Sequence, residues 1–268
     1  MGVIRVSANT DLVKIIEDEV VSLDRLNIKI YSDGADLDSI AEAVKKGVAS
    51  GFTTNPTLMA RAGVTDYINF AKEVLRLVPS LPVSFEVFSD DLAGMKEQAL
   101  QLKALASNVY VKIPVTNTKG ESTAALIKEL SAAGLKLNVT AILTYAQCVE
   151  VIEALDVNTP AVVSVFAGRI ADSGRDPIPV MQSALELMKA KPLAELLWAS
   201  PREALNIVQA DRLGCHIITI TPDLLAKAKN FGKSLEQFSL ETVKMFYDDA
   251  QKSGLSLSHS QSGVDKAA

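Results

Sequence analysis

The sequence is poor in the groups that carry most metal and redox chemistry. It has two histidines, His216 and His259, and two cysteines, Cys148 and Cys215. So few histidines argue against a histidine-based metal site. The cysteines are far apart in apolar stretches and read as buried free thiols rather than a disulfide. No apolar run is long enough to span a bilayer, and the N-terminus lacks the basic-then-apolar pattern of a signal peptide. There is no basic excess: the formal net charge is −5, which offers no electrostatic footprint for nucleic acid or an anionic membrane. No Gly-x-Gly-x-x-Gly or Gly-x-x-x-x-Gly-Lys loop follows an expected strand, which weakens a nucleotide-binding reading. What is there is apolar material: 48% of 268 residues, against 22% charged, enough for a sizeable core. The totals suit a cytosolic domain of enzyme size and name no chemistry.

The pattern along the chain is more specific. Residues 1–26 read as a helical extension, with capping side chains at Asn9-Thr10-Asp11 and an apolar face of Leu12, Ile15, Ile16 and Val20. Strands are then expected at Ile28–Tyr31, Gly51–Pro56, Val83–Phe88, Tyr110–Ile113, Leu135–Ile142, Ala161–Phe166, Leu196–Ala199 and Ile217–Thr221, with helices between them. The stretch after Phe166 reads as a polar, glycine-containing loop. An amphipathic helix with Leu240, Val243, Met245 and Phe246 ends near Gln251, and 253–268 reads as a disordered tail. Strand–helix alternation without a linker points to one α/β domain over 27–252. Periodicity does not distinguish a closed barrel from an open doubly wound sheet, and the count of eight strands selects a (β/α)8 barrel with an extra N-terminal and a C-terminal helix.

One strand contains a contradiction. Asn108-Val-Tyr-Val-Lys-Ile-Pro-Val115 is a β-branched and aromatic run that should be buried on both faces, yet Lys112 stands in its middle. A buried ammonium needs a partner or loses its proton, and a neutral lysine is a nucleophile towards carbonyls. The ordinary alternative is a lysine near a strand end whose stem snorkels to water. Polar residues gather at other expected strand ends too: Asp33, Thr54 with Asn55, Glu86, Asn138 with Thr140, Ser164 with Arg169, and Ser200. Each alone has a bland explanation as a cap, turn or surface residue. In a barrel these ends form the active-site face, and buried polar groups in several strands at once require partners.

The segments Ser32-Asp33, Thr53-Thr54-Asn55-Pro56, Phe85-Glu86-Val87, Val111-Lys112-Ile113-Pro114, Asn138-Val-Thr140, Ser164-Val-Phe-Ala-Gly-Arg169 and Ala199-Ser-Pro-Arg202 occur in order from about Ile28 onward. On these residues the chain resembles the transaldolases, of the transaldolase/fructose 6-phosphate aldolase family in the class I aldolase superfamily. The resemblance implies that Lys112 forms a Schiff base with the ketose C2 carbonyl and that Asp33 is the general base at the C4 hydroxyl. Glu86 and Thr140 then handle proton transfers through a water. Asn55, Asn138 and Ser164 hold the dihydroxyacetone hydroxyls, with Thr54 and Phe166 also in the substrate site, and Arg169, Ser200 and Arg202 bind phosphate. It also implies a cytoplasmic transferase of carbohydrate metabolism, in the pentose phosphate pathway, that needs no metal or organic cofactor. Its expected partners are sugar phosphates, with no nucleic acid or membrane; a homo-oligomer is left open. Proline stands at Pro201 where the family carries an aromatic residue. The alternatives are a fructose 6-phosphate aldolase, whose third-strand position resembles glutamine and whose sixth-strand aromatic is tyrosine, and a non-catalytic sugar-phosphate-binding barrel. Here the two positions are Glu86 and Phe166, both of transaldolase type.

Overall fold

The structure is a computed structural model and describes residues 22–254. The expected N-terminal helix and nearly all of the expected disordered tail lie outside the described residues. Eight parallel strands close into a barrel in sequence order: β1 (Lys29–Asp33), β2 (Gly51–Thr53), β3 (Val83–Glu86), β4 (Val109–Pro114), β5 (Leu137–Ile142), β6 (Ala161–Val165), β7 (Ala194–Trp198) and β8 (Ile217–Ile220). The described helices are α1 (Leu37–Lys46), α2 (Pro56–Arg61), α3 (Tyr67–Leu77), α4 (Leu92–Lys103), α5 (Ala124–Ala132), α6 (Tyr145–Ala154), α7 (Ala167–Asp172), α8 (Ile178–Met188), α9 (Leu205–Leu213), α10 (Pro222–Leu225) and α11 (Leu235–Ser253). They divide between two compact units. Residues 24–229 hold the barrel, and α11 belongs to the other. On α11 no side chain is buried, and Phe238, Val243, Phe246 and Tyr247 are exposed.

Side-chain caps start half of the barrel helices. Asp36, Asn55, Asp66 and Asp91 accept hydrogen bonds from the backbone N–H three residues on, at 2.8–3.0 Å. Thr144 and Gln147 form a reciprocal capping box. Such a cap stabilises by about 1 kcal/mol. Two short helices occupy stretches that read as the end of a strand and as a loop. Asn55 caps α2 with Pro56 at its first position, which also ends β2 at Thr53. In α7 the Phe166 carbonyl accepts from both Arg169 N and Ile170 N, so one turn of helix forms despite Gly168.

Strand alternation assigns each side chain to the interior or to the helix layer. Tyr31, Val162, Leu197, Ala199 and Ile217 fill the interior, with Tyr110 and Phe166 packed against them. Tyr31 fits because residue 51, its partner in the β1–β2 register, is glycine: a Cβ there would stand 2.6 Å from the tyrosine ring. Two residues further along β1, on the same interior face, is Asp33. By the same alternation Lys112 follows Tyr110 into the interior, and Val111 and Ile113 face the helices.

Candidate active site

At the C-terminal ends of the strands lies a cavity of about 500 Å³. It is lined by Asp33, Thr53, Asn55, Glu86, Lys112, Thr140, Ala141, Phe166, Arg169, Ser200 and Thr219, with apolar contributions that include Leu58 and Leu143. Another depression of about 470 Å³ is lined by Asp36, Asp38, Asp66 and Glu73 and has no lysine or arginine in its wall. The amine, the guanidinium and the interior carboxylates are all at the barrel mouth. Among the described residues no group of three or more His, Cys, Asp or Glu side chains is placed to hold a metal ion.

Lys112 is buried, and register sets it beside Glu86 on β3 and Asn138 on β5. Its Nζ donates to the Thr54 carbonyl at 2.8 Å and lies 3.3 Å from Glu86 Oε2. Asp33 Oδ1 accepts from Thr53 Oγ1 at 2.7 Å, and Asn55 Nδ2 is 3.4 Å from Oδ2. Burial pushes the Asp33 carboxyl above the usual carboxylate range. The Lys112 ammonium and the hydrogen bonds from Thr53 and Asn55 act against that rise, and the Glu86 charge adds to it. Thr140 Oγ1 is buried without a hydrogen-bond partner among the described residues. Buried hydroxyls are almost always bonded, so this one is free for a molecule entering the cavity. The cysteines are buried and unpaired. Burial pushes the Cys148 thiol up to about 11 and the Cys215 thiol up to about 12, so neither is a thiolate nucleophile at neutral pH.

Arg169 is exposed at the rim, its guanidinium 5.5 Å from the centre of the Phe166 ring, and it makes no ion pair among the described residues. Ser200 also lines the cavity, with its backbone in the left-handed region at φ +61°. Ala141, at +63°, is the other non-glycine residue with positive φ among those described. Ala141 coincides with a register shift between β5 and β6. Strained backbone of this kind collects at functional sites because the surrounding packing enforces it. The positive φ at neither position was readable in sequence, since alanine and serine carry no signal for it.

Four residues singled out in the sequence do not line the cavity. Asn138 and Ser164 are in a buried layer, where Ser164 Oγ donates to Asn138 Oδ1 at 2.6 Å and Asn138 Nδ2 donates to Ser84 Oγ at 3.0 Å. Thr54 gives its hydroxyl to the Ser84 carbonyl at 3.0 Å. Arg202 Nε donates to both Asp172 carboxylate oxygens at 3.0 Å, on the exposed surface. Conversely, sequence reading passed over Ser84, which accepts from Asn138 and, through its carbonyl, from Thr54, and Thr219, whose hydroxyl contacts Thr53 Oγ1. Thr219 had no sequence signal beyond being one hydroxyl in an isoleucine-rich strand.

The closed parallel barrel and its mouth, with an amine, carboxylates, hydroxyls and a guanidinium around one cavity, define a barrel of enzyme type. The chain belongs to the transaldolase/fructose-6-phosphate aldolase family, whose model matches residues 30–261. It is similar to proteins named "Probable transaldolase" from several organisms. That of Thermoanaerobacter sp. (strain X514) is 32% identical over 231 residues, 86% of this chain and 100% of the relative. That of Methanococcus maripaludis (strain C6) is 32% identical over 226 residues, 84% of this chain and 100% of the relative. That of Clostridioides difficile (strain 630) is 33% identical over 194 residues, 72% of this chain and 85% of the relative. Membership makes the chain a transferase- or aldolase-type enzyme of sugar phosphates. Among the described residues no helix is long and apolar enough to cross a membrane.

Proposed function

We propose that the chain is a transaldolase that moves a dihydroxyacetone unit from a ketose phosphate to an aldose phosphate through a Schiff base on Lys112. The observation that carries this reading is a buried lysine inside the barrel, 3.3 Å from Glu86, with Asp33 lining the same cavity. A purely binding barrel has no use for this set, because holding a buried amine among part-buried carboxylates is costly without a reaction to run. Lys112, after giving up its proton, attacks the ketose C2 carbonyl. Glu86 and Thr140, working through a water, move the protons that turn the carbinolamine into an iminium. Asp33 takes the C4 hydroxyl proton, the C3–C4 bond breaks, and its electrons move into the iminium to leave an enamine. The first aldose departs. The enamine adds to the second aldehyde, Asp33 returns its proton to the new alkoxide, and water releases the product from Lys112. Arg169 and Ser200 receive the phosphate, a charge-assisted contact suited to a guanidinium beside a hydroxyl. In this reading fructose 6-phosphate or sedoheptulose 7-phosphate is the donor. Erythrose 4-phosphate or glyceraldehyde 3-phosphate is the acceptor, in a cytoplasmic pentose phosphate pathway.

Glu86 and Phe166 favour transfer over simple aldol cleavage. A fructose 6-phosphate aldolase would carry a glutamine at the first position and a tyrosine hydroxyl at the second. Borohydride reduction in the presence of fructose 6-phosphate tests the proposal: the parent should be labelled covalently at Lys112, and Lys112→Ala should not. In parallel, sedoheptulose 7-phosphate formation from fructose 6-phosphate and erythrose 4-phosphate should greatly exceed release of free dihydroxyacetone. Absence of labelling sinks the Schiff base. Equal rates of release and transfer would assign the chain to the aldolases.

A further inference from the structure

Thr219 is a cavity residue for which the steps above have no use. It lies on β8 opposite Tyr31 of β1, at the seam where the last strand closes onto the first. Ile217, two residues earlier, belongs to the interior cluster, so Thr219 projects from the same face one level higher, into the cavity wall. It is buried, and a hydroxyl so placed needs a partner. That partner is Thr53 Oγ1, in close contact across the β8–β2 gap. Thr53 Oγ1 in turn is 2.7 Å from Asp33 Oδ1. Three groups from three strands thus stand in series: Thr219, Thr53, Asp33.

A hydroxyl has one hydrogen to give and lone pairs to receive. With Asp33 ionised, Thr53 donates to the carboxylate and accepts from Thr219. With a proton on Asp33 Oδ1 the series reverses: Asp33 donates to Thr53, Thr53 donates to Thr219, and the Thr219 hydrogen turns to the cavity. We propose that Thr219 is a positioning residue that keeps Asp33 hydrogen-bonded in both protonation states, so that the carboxyl can take and return a proton without leaving a buried donor unpaired. The inference rests on the reading of Asp33 as the group that holds the substrate proton. Without Thr219 the ionised form keeps its bond from Thr53, whereas the protonated form orphans the Thr53 hydrogen. An orphaned buried donor is the costlier loss. The other groups facing Asp33 are Lys112 from β4, Glu86 from β3 and Asn55 beyond β2, and all are unchanged by a substitution at 219.

The test compares Thr219→Val, which keeps the shape, with Thr219→Ser, which keeps the hydroxyl. In protein carrying 13C-labelled aspartate, with the Asp33 resonance identified by its loss in Asp33→Asn, the carboxyl is titrated by NMR without substrate. Thr219→Val should titrate lower than the parent by about 0.5–1 pH unit, the equivalent of one hydrogen bond, and Thr219→Ser should titrate as the parent does. The acid limb of the kcat profile for transfer should move the same way, kcat should fall by roughly 2- to 10-fold with KM nearly constant, and borohydride labelling of Lys112 should persist. An unchanged or raised titration in Thr219→Val overturns the proposal, as does a serine variant that behaves like the valine one. A parent that is never labelled overturns the transaldolase reading and leaves the titration to decide about Thr219 by itself.

Discussion

Arg169 makes no ion pair among the described residues and stands at the rim of a cavity whose other cation, Lys112, is held by Glu86 and the Thr54 carbonyl. That division of labour gives the residue scale its test. Arg169→Ala should weaken phosphorylated substrates by about 10- to 150-fold, the range of a charged hydrogen-bonded contact, and change dihydroxyacetone or fructose much less. Steady-state kinetics on both substrate types checks it, and an equal loss would make Arg169 structural. Arg202 differs in kind from Arg169. Its guanidinium is already engaged by Asp172 on the exposed surface, where an ion pair contributes between nothing and about 1 kcal/mol.

At the scale of elements, the rim of the cavity depends on how closely α7 approaches the segment after β7. A Cβ on Gly168 would stand 1.6 Å from the Ser200 carbonyl oxygen, a contact with backbone that no side-chain rotation relieves. The same two segments are joined by Asp172 and Arg202, and they carry Arg169 and Ser200 to the cavity. Gly168→Ala should therefore separate Arg169 from Ser200, the pair proposed to receive the phosphate, as well as strain the fold. We expect destabilisation of about 1–3 kcal/mol, the usual cost of overpacking, read as a lower melting temperature. KM for phosphorylated substrates should rise in the same variant, and a melting temperature and KM equal to the parent's would contradict the close approach.

At the scale of the whole molecule, the site opposes stability. Asp33 is held above its ordinary range chiefly by burial. A carboxyl raised in the folded state binds its proton more tightly there than in the unfolded chain. Folding is thus most favoured below the unfolded-state value and loses stability as pH rises through the folded-state value. Asp33→Asn removes that titration. It should abolish transfer yet melt higher than the parent at neutral pH, with the advantage disappearing in acid below the unfolded carboxylate range. For a chain of this size each kcal/mol relieved corresponds to about 2–4 °C. Calorimetry across pH checks this, and an Asn variant less stable than the parent at neutral pH would mean that the Asp33 hydrogen bonds outweigh its burial.

Much of this was legible in the chain itself. Apolar periodicity determined the order of strands and helices, because strand faces and helix stripes depend on neighbours a few residues away. The anomaly of Lys112 was visible for the same reason: an amine in a run such as Val109–Pro114 is costly in any fold that buries the run. Which polar residues meet was decided only by closure of the barrel. Asn138 and Ser164 read as polar positions on two separate strands, and the folded barrel joins them in a buried layer with Ser84. The partner that Arg202 takes, Asp172, comes from the helix after β6, 30 residues away in the chain. Thr219, 166 residues from Thr53, had no local pattern at all. Local periodicity encodes the face on which a side chain stands. The height at which it meets another across the interior depends on register and shear around all the strands, which only the folded barrel specifies.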